Sequence, residues 1–354
     1  MQTDIHHAGT YTLCRMAGMK SDCAEIVAYC AEQVDDAVYG HALMFENGGT
    51  FKQTQTAYKR MNPDNLDINR AYEVLVTFHF LPDIKAYKND AALATNPDSK
   101  LLEKSLEDIV LNGDTELGLY RLGIGLHTYE DVFAHQDFIG FYSDYNDVNL
   151  IDGMVESIKI SLFKNQAKIG HGPVGHNADI PFMNWSYKRE NKEEKTINNL
   201  EDRFLPGLKE VYQFIKRFVQ ENPQYKINGA VPASFEEYEN KIKDLLAHEG
   251  DKEERHNYWL DSIANNKFDF EKFNQKGIDK NLEYHEREWF KKAVEVVEEK
   301  PENIWDKVGG LFRDYLLKYD DYRKKDCFKN SNWVKFMLAA EEHKHVVNRK
   351  IIDL

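Results

Sequence analysis

One stretch, Gly118 to Gly140, constrains the fold more than any other part of the chain. It carries His127, Asp131 and His135 at steps of four residues, which places the three side chains along one stripe of a helix. The rest of the helix is apolar on nearly every side, as in buried helices. Two imidazoles and a carboxylate buried together need partners, and one bound cation would satisfy all three. The stretch therefore predicts a buried central helix with a metal-ligand stripe.

The composition excludes several classes of protein. With 354 residues the chain can form one large domain or two ordinary ones. A net charge of -14 opposes stable binding of duplex nucleic acid, which depends on Lys and Arg. No apolar run is long enough for a membrane span, and the N-terminus does not resemble a signal peptide. Four cysteines without a CxxC pair fit reduced thiols, so we expect a cytoplasmic protein.

The whole sequence predicts an all-α fold, because helical patterns recur and alternating strand patterns are scarce. The segment 45–70 is predicted to be a long loop, with helices over 98–112 and 149–168. In the second half, helices are predicted over 196–221, 234–248, 252–265, 281–299, 301–319 and 331–349. The charged run KRENKEEK is typical of a linker. We expect a metal-binding catalytic domain over 1–187 and a helical C-terminal region over 188–354, either separate from the first or packed on it as one domain.

Further candidate ligands lie before the central helix. His6 and His7 are adjacent, and because neighbours on a helix point about 100° apart, only one is expected to face a shared site. The sequence does not choose between them. Asp35 lies on a small-residue face of a helix, where another element can approach closely. His79 lies between two phenylalanines in an apolar run and is either a core residue or a ligand.

A glycine-containing loop after the central helix offers His171, His176 and Asp179. Glycines let backbone and imidazoles approach a site closely, and His176 and Asp179 could chelate one ion. Either His171 or His176 could be the ligand. Nitrogen and carboxylate donors without cysteine suit zinc, with manganese or iron possible. The candidate ligands are His6 or His7, Asp35, His79, His127, Asp131, His135, His171 or His176, and Asp179.

Two segments, HTYEDVFAH at 127–135 and FHFLP at 78–82, resemble ligand segments of the zinc-dependent phospholipase C and S1/P1 nuclease superfamily. The first is most similar to the glycosylphosphatidylinositol-phospholipase D branch. The order of the candidate ligands along the chain is also similar, and the resemblance covers roughly residues 5–182. It implies a multi-helix bundle, here with an additional helical C-terminal half, two or three clustered zinc ions and hydrolysis of phosphoester bonds.

The resemblance also implies a ligand set for each ion. Asp35, His79, His127 and Asp131 would hold one zinc ion. His135 would hold a second with His176 and Asp179, and His6 or His7 would hold a third with a bridging Asp131. The sequence departs from the secreted members in two places: it lacks their N-terminal tryptophan, which supplies a ligand through its amine, and its late histidine and acid have a different spacing.

These features predict a metal-dependent hydrolase, phospholipase C-like or nuclease-like, acting on a small phosphoester or a phospholipid head group. Clustered ions would generate a metal-bound hydroxide and clamp the phosphoryl oxygens, with Asp35 or Asp131 able to assist as a base.

Two alternatives remain open at this stage. In the first, the metals only stabilise the helices of a non-catalytic protein, whose C-terminal half binds a protein partner or a second copy of the chain. In the second, the protein is a ferritin-like di-iron oxidase. The pairs Glu253/His256 and Glu342/His345 match the spacing of such sites but lie in charged stretches typical of solvated helix faces.

Overall fold

The computed structural model describes residues 1–58, 67–82, 90–154, 168–270, 277–298 and 321–352. In the first half, a π-helical turn Asp4–Gly9 leads into α1 (Thr10–Met16), followed by α2 (Ser21–Asp36), β1 (Ala42–Phe45), β2 (Thr50–Lys52), α3 (Ile68–Ala71) with a π-helical turn Tyr72–Val76, α4 (Lys100–Leu111), α5 (Gly118–Ala134) and β3 (Val148–Asp152).

The second half contains β4 (Asn184–Arg189), β5 (Glu194–Asn198), a π-helical turn Leu200–Phe204 that continues as α6 (Leu205–Glu221), α7 (Phe235–Leu246), α8 (Lys252–Ala264), α9 (Glu288–Ala293), β6 (Val294–Glu298), β7 (Asp321–Lys324) and α10 (Asn332–Ile352). Short 3-10 helices occupy Asp90–Leu93, Asp144–Asn146, Gly172–Ala178, Pro223–Tyr225, Ile278–Lys280 and Phe328–Asn330.

Side-chain caps fix the starts of several helices, including α4, α7 and α8. Ser99 accepts a hydrogen bond from the Leu102 amide at the start of α4, and Ser234 caps α7 in the same way. At α8, Asp251 caps the helix while the side chain of Glu254 accepts a hydrogen bond from the Asp251 amide. Each cap satisfies amides that have no partner inside the helix, so these boundaries follow directly from the local sequence.

Helix α5 lies at the centre of the molecule, packed against α2, α4, α6 and α10. Every residue of α5 except Tyr129 is buried, which confirms the predicted central helix. Its approach to α2 depends on Gly123. A Cβ atom at Gly123 would collide with the backbone carbonyl of Val27 and with the side chain of Cys30. The absence of a side chain at this position therefore brings α2, and with it Asp35, close to the ligand stripe of α5.

The first sheet joins distant parts of the chain in the order β2-β1-β7-β6. Strands β1 and β7 are parallel, with Phe45 opposite Tyr322, whereas the other pairs are antiparallel. Phe45 and Tyr322 belong to a buried cluster that also contains Trp289 of α9 and Trp333 of α10. The sheet therefore packs its apolar side chains together with those of helices from both halves of the chain.

The second sheet is antiparallel, in the order β3-β4-β5, and Asp137 attaches it to the end of α5. The Asp137 carboxylate accepts hydrogen bonds from Tyr145 (2.6 Å), Tyr187 (2.6 Å) and Arg189 (2.7 Å). Burial alone would raise the pKa of Asp137, but these donors, together with Lys195, hold it well below its usual range. Asp137 is thus a charged anchor between the helix and the sheet.

The prediction of an all-α, zinc-phospholipase C-like bundle is wrong, because the fold is mixed α and β with sheets of four and three strands. The helix predicted over 281–299 is helical only at Glu288–Ala293 and continues as β6, whose valines favour a strand. The helix predicted over 149–168 begins as β3, and its residues 155–167 lie outside the described residues, as does the helix predicted over 301–319.

Other expectations can be located on the fold. The loop predicted over 45–70 contains β2 and parts of β1 and α3, and its residues 59–66 lie outside the described residues. The boundary proposed at 187/188 falls within β4, and the charged run KRENKEEK forms the end of β4, the turn and the start of β5. Among the described residues, none of the helices combines the length and apolarity needed to cross a bilayer.

Candidate metal centre

Three clusters of histidine and aspartate side chains lie in the described part of the chain, each with its potential ligand atoms within 4.8 Å of one another. They consist of His6, His127 and Asp131; Asp35, His79 and His127; and His135, His171 and Asp179. The first two clusters share His127, and the third adjoins them because His135 Nδ1 lies 3.7 Å from Asp131 Oδ2. The clusters therefore form one continuous centre.

Each candidate ligand has a defined position on the fold. His127 and Asp131 lie on α5, and His135 is the residue at its C-terminal cap. Asp35 lies in the last turn of α2. His6 belongs to the π-helical turn Asp4–Gly9, and π-helical turns are frequent at functional sites.

The remaining candidate ligands, His79, His171 and Asp179, come from less regular segments. His79 comes just after the π-helical turn Tyr72–Val76, while His171 and Asp179 flank the 3-10 segment Gly172–Ala178. That segment is kinked at Gly175, whose φ of 57° favours glycine. The kink turns the Gly175 carbonyl towards His171, which lies 2.9 Å away through Nδ1.

Asp131 lies between the other side chains of the centre and contacts several of them. Its Oδ2 atom lies 2.9 Å from His79 Nδ1 and 3.2 Å from His127 Nε2, and its Oδ1 atom lies 3.2 Å from His6 Nε2. The amino group of Met1 also contacts the Asp131 carboxylate and lies 3.7 Å from Asp179 Oδ1. The two oxygens of Asp131 thus face different sets of groups, as in a carboxylate that bridges two cations.

The buried carboxylates of the centre are ionised. Burial would raise the pKa of Asp131, but His135, the Met1 amine and His127 hold it well below its usual range. Asp179 behaves in the same way: burial opposes ionisation, whereas His171, the Met1 amine and His135 keep its pKa well below the usual range. Ionised carboxylates at this depth require cationic partners.

Five imidazoles are fixed through one ring nitrogen, which leaves the other nitrogen facing the acids. Four of them make these contacts to backbone carbonyls: His127 Nδ1 to Ala31 (2.7 Å), His79 Nε2 to Thr56 (2.9 Å), His135 Nδ1 to His79 (3.0 Å) and His171 Nδ1 to Gly175 (2.9 Å). The fifth, His6, places Nδ1 2.8 Å from Glu130 Oε2. This is the arrangement of metal-bound histidines, in which an outer hydrogen bond sets the tautomer.

Two ring nitrogens, one from His79 and one from His127, face each other beside Asp131. His127 donates through Nδ1 and His79 donates through Nε2, so in the neutral rings His127 Nε2 and His79 Nδ1 both carry lone pairs. These two atoms lie 3.0 Å apart, beside the ionised Asp131. Burial opposes a proton on His79, but the hydrogen bond to Asp131 and the charge of Asp131 raise the pKa of His79, so either that proton or a metal ion can lie between the two nitrogens and Asp131. The donor set fits a bound metal ion.

Burial keeps two of the imidazoles neutral, as ligands must be. Burial, followed by the charge of His6, lowers the pKa of His127 to about 4. Burial also lowers the pKa of His171 to about 4. Both rings are therefore unprotonated at neutral pH, and the nitrogen that faces the acids in each ring can bind a cation.

The centre is buried except along one edge. The side chains of His6, His127, Asp131, His135 and Asp179 are at most 8% exposed. Asp35 is 34% exposed and His171 is 19% exposed, so the centre meets solvent at these two residues. Asp35 Oδ1 lies 3.8 Å from His79 Nδ1 and from His127 Nε2. Of Asp35 and His171, Asp35 is the more exposed residue.

Two of the sequence candidates lie outside the three clusters. His7 points away from Asp131, with its Nδ1 atom 2.9 Å from Nε2 of His256. His176 contacts Asp179 through Nδ1 at 3.3 Å, but its side chain is 49% exposed and His171 takes the place beside His135. The structure therefore distinguishes His6 from His7 and His171 from His176, which the sequence left open.

Sequence reasoning missed two groups that contact this centre, Glu130 and the Met1 amine. Glu130 could have been found from the sequence, because a glutamate within an apolar, buried helix needs a partner. The pairs Glu253/His256 and Glu342/His345 belong to none of the His/Asp clusters among the described residues, which leaves the di-iron alternative without a site there.

Comparison with known proteins gives the chain a family. A search of curated proteins found no match to it, and neither did a search of solved structures. One family model, DUF6765, described as a family of unknown function, matches residues 1–351. Because the match spans nearly the whole sequence, the chain belongs to the DUF6765 family.

Proposed function

We propose that this protein is a metal-dependent hydrolase of phosphoester bonds, using two or three divalent ions, preferably zinc, at the candidate metal centre. The observation that carries the proposal is the placement of His79 Nδ1 and His127 Nε2, 3.0 Å apart, beside the ionised Asp131, where a metal ion can bind both ring nitrogens in exchange for a proton. The three clusters supply nitrogen and carboxylate donors without cysteine, as zinc sites of hydrolases do.

The choice of phosphoester chemistry rests on the resemblance of 127–135 and 78–82 to the zinc-dependent phospholipase C and S1/P1 nuclease superfamily. The residues assigned by that resemblance, with His6 and His171 in place of their neighbours, fall into the three clusters. The sheets that distinguish this fold leave the ligand-bearing helices α2 and α5 in contact. We expect a small phosphoester or a phospholipid head group as substrate.

Divalent ions in such a centre would lower the pKa of a bound water towards neutrality and neutralise phosphoryl oxygens. The chain's own residues then have distinct roles. Asp131 holds the centre together by facing different groups with its two oxygens. Asp35, at the exposed edge, places Oδ1 where it can accept a proton from an attacking water. The closely packed apolar surroundings of α5 exclude bulk solvent from the remaining ligands.

The proposal is tested by measuring bound metal and hydrolysis of bis(p-nitrophenyl) phosphate with the purified full chain. We expect at least two zinc ions per chain and zinc-dependent hydrolysis. His127→Ala and Asp131→Ala should abolish metal binding, whereas Asp36→Asn should retain it, because Asp36 accepts a hydrogen bond from Tyr284 instead of joining a cluster. A folded wild-type protein with only trace metal would refute the proposal.

The number of candidate ligands favours one second candidate, a metal site that only stabilises the fold, because a structural site fills its coordination sphere with protein ligands. The two functions differ in the order of events during chelation. If the centre is catalytic, hydrolysis disappears at chelator concentrations that leave the circular dichroism of the helices unchanged. If it is structural, helicity and bound metal are lost together and no hydrolysis is found at any stage.

A further inference from the structure

We infer that Glu130 is a positioning residue that fixes the ring of His6, so that His6 presents Nε2 to a cation shared with His127 and Asp131. The inference rests on the proposed function, because it assumes a divalent ion at the centre. Glu130 is fully buried on α5, next to Asp131 in the sequence. Successive residues of a helix point about 100° apart, so Glu130 faces the N-terminal helix while Asp131 faces the other ligands.

Both carboxylate oxygens of Glu130 contact side chains of the N-terminal helical segment, residues 4–16. Oε1 accepts a hydrogen bond from the Thr10 hydroxyl at 2.7 Å, and Oε2 lies 2.8 Å from His6 Nδ1. Glu130 is accordingly absent from the three ligand clusters of the described residues. Its carboxylate acts on the centre only through His6.

The contact with Glu130 decides which nitrogen of His6 faces the other candidate ligands. With a carboxylate oxygen 2.8 Å away, Nδ1 keeps its proton and donates it to Glu130, which leaves Nε2 as the nitrogen that can exchange a proton for a metal ion. That Nε2 atom is buried and lies 3.2 Å from Asp131 Oδ1. A buried ring nitrogen beside a carboxylate of the centre is suited to hold a cation with it.

Packing fixes the plane of the His6 ring, and the contact with Glu130 fixes its orientation within that plane. The ring is stacked on His127, with centroids 3.9 Å apart and planes inclined by 24°. A half-turn of the His6 ring would break the contact with Glu130 and leave that carboxylate with Thr10 alone. A carboxylate behind a ligating histidine also makes the ring a stronger donor, and loss of such an outer partner weakens metal binding about 10- to 100-fold.

The test compares zinc affinity and stoichiometry in four forms of the full chain: wild type, Glu130→Gln, His6→Ala and the double variant. Glutamine keeps the shape of Glu130 but removes its charge, so we expect Glu130→Gln to weaken one zinc ion about 10- to 100-fold while leaving the others unchanged. His6→Ala should lose the same ion. The double variant should bind zinc as His6→Ala does, because Glu130 acts through His6.

Two further variants keep the test independent of folding. Thr10→Val removes one donor to Glu130 and should weaken the same ion by a smaller factor. Asp279→Asn alters an equally buried acid, paired with Arg15 at 2.8 Å and outside the clusters, and should lower the melting temperature without changing zinc affinity.

Each outcome decides the question. Unchanged zinc affinity in Glu130→Gln would overturn the inference, as would a double variant that is weaker than His6→Ala, since a purely structural effect of Glu130 would add to the loss of His6. Either result would leave the proposed function standing, because wild-type protein would still hold its metal. Wild-type protein without bound zinc would overturn the proposed function, and this inference with it.

Discussion

His171 and His176 lie in the same loop, and both approach Asp179, but their side chains differ in packing and hydrogen bonding. His171 stacks on His135, with ring centroids 4.6 Å apart, and its Nδ1 is fixed by the Gly175 carbonyl. We therefore expect His171→Ala to lose one zinc ion per chain, while His176→Ala keeps full stoichiometry. Elemental analysis of the two variants checks this, and equal losses in both would show that the loop rearranges when metal binds.

His343 of α10 supplies a pH-dependent contribution to stability. It is buried against Phe78, and burial, followed by the charge of Arg121, lowers its pKa to about 3. Between that value and the ordinary pKa of about 6.5, the unfolded chain binds a proton that the folded chain does not, so the free energy of unfolding falls as pH falls. We expect this single group to cost about 1 kcal/mol between pH 7 and pH 5.5.

The variant His343→Leu removes that group. In metal-free protein, urea unfolding at pH 7 and pH 5.5 should show a decrease in unfolding free energy that is about 1 kcal/mol smaller than in wild type. Other buried histidines contribute equally to both proteins and cancel in the comparison. An identical decrease in both would mean that His343 is protonated in the folded state.

At the residue scale, the sequence shows which side chains can come together better than it shows how they are oriented. His127, Asp131 and His135 could be recognised because helical spacing places them on one stripe. The atoms that orient them, such as the carbonyls of Ala31 and Thr56, belong to the backbone and have no signature in a side-chain pattern. Whether a given histidine in a kinked loop turns inward is set by backbone angles that the sequence does not display.

At the scale of elements, helices with caps could be predicted and short strands could not. Helix α4 starts within two residues of its expected position because Ser99 and its following pattern are local signals. Strand β6, VEVVE, lies within a Lys- and Glu-rich stretch whose pattern predicts a helix. It is separated from its partner β7 by 22 residues, and β1 joins the sheet from the other end of the chain, so the pairing is tertiary.

The contact between α2 and α5 can be tested by adding one methyl group. Gly123→Ala would place a Cβ against the Val27 carbonyl, and overpacking of this kind costs about 1–3 kcal/mol in unfolding free energy. Because α2 carries Asp35 and the Ala31 carbonyl that holds His127, we also expect weaker zinc binding. Urea unfolding and zinc titration measure the two effects.

The matched control for Gly123→Ala is Gly125→Ala, on the same helix. A Cβ at Gly125 would meet only the end of the Ile109 side chain, which can move aside. Alanine also has a higher helix propensity than glycine by about 1 kcal/mol, so this variant should be close to neutral in stability and in zinc affinity. Equal effects of the two substitutions would remove the special role of the α2–α5 contact.

At the scale of the whole molecule, the C-terminal half contributes to the candidate centre by holding the N-terminal segment. Arg255 of α8 is 2% exposed and contacts Asp4 Oδ2 at 2.9 Å, while its other nitrogens contact the Gly250 carbonyl and the Gln2 side chain. Asp4 is fully buried and lies two residues before His6. A contact across about 250 positions of sequence therefore fixes the turn that carries one ligand.

Replacing Arg255 with methionine tests whether the two halves form one functional unit. Breaking a buried ion pair from one side costs about 3–5 kcal/mol in unfolding free energy, because Asp4 would keep a buried, unpaired charge. Arg15→Met breaks the comparable buried pair with Asp279 and should cost a similar amount. Of the two variants, Arg255→Met alone should also weaken zinc binding at His6, since Arg255, unlike Arg15, contacts the turn that carries His6. Zinc titration of the two folded variants separates the effects: equal zinc affinity would mean that α8 stabilises the fold without positioning the ligand.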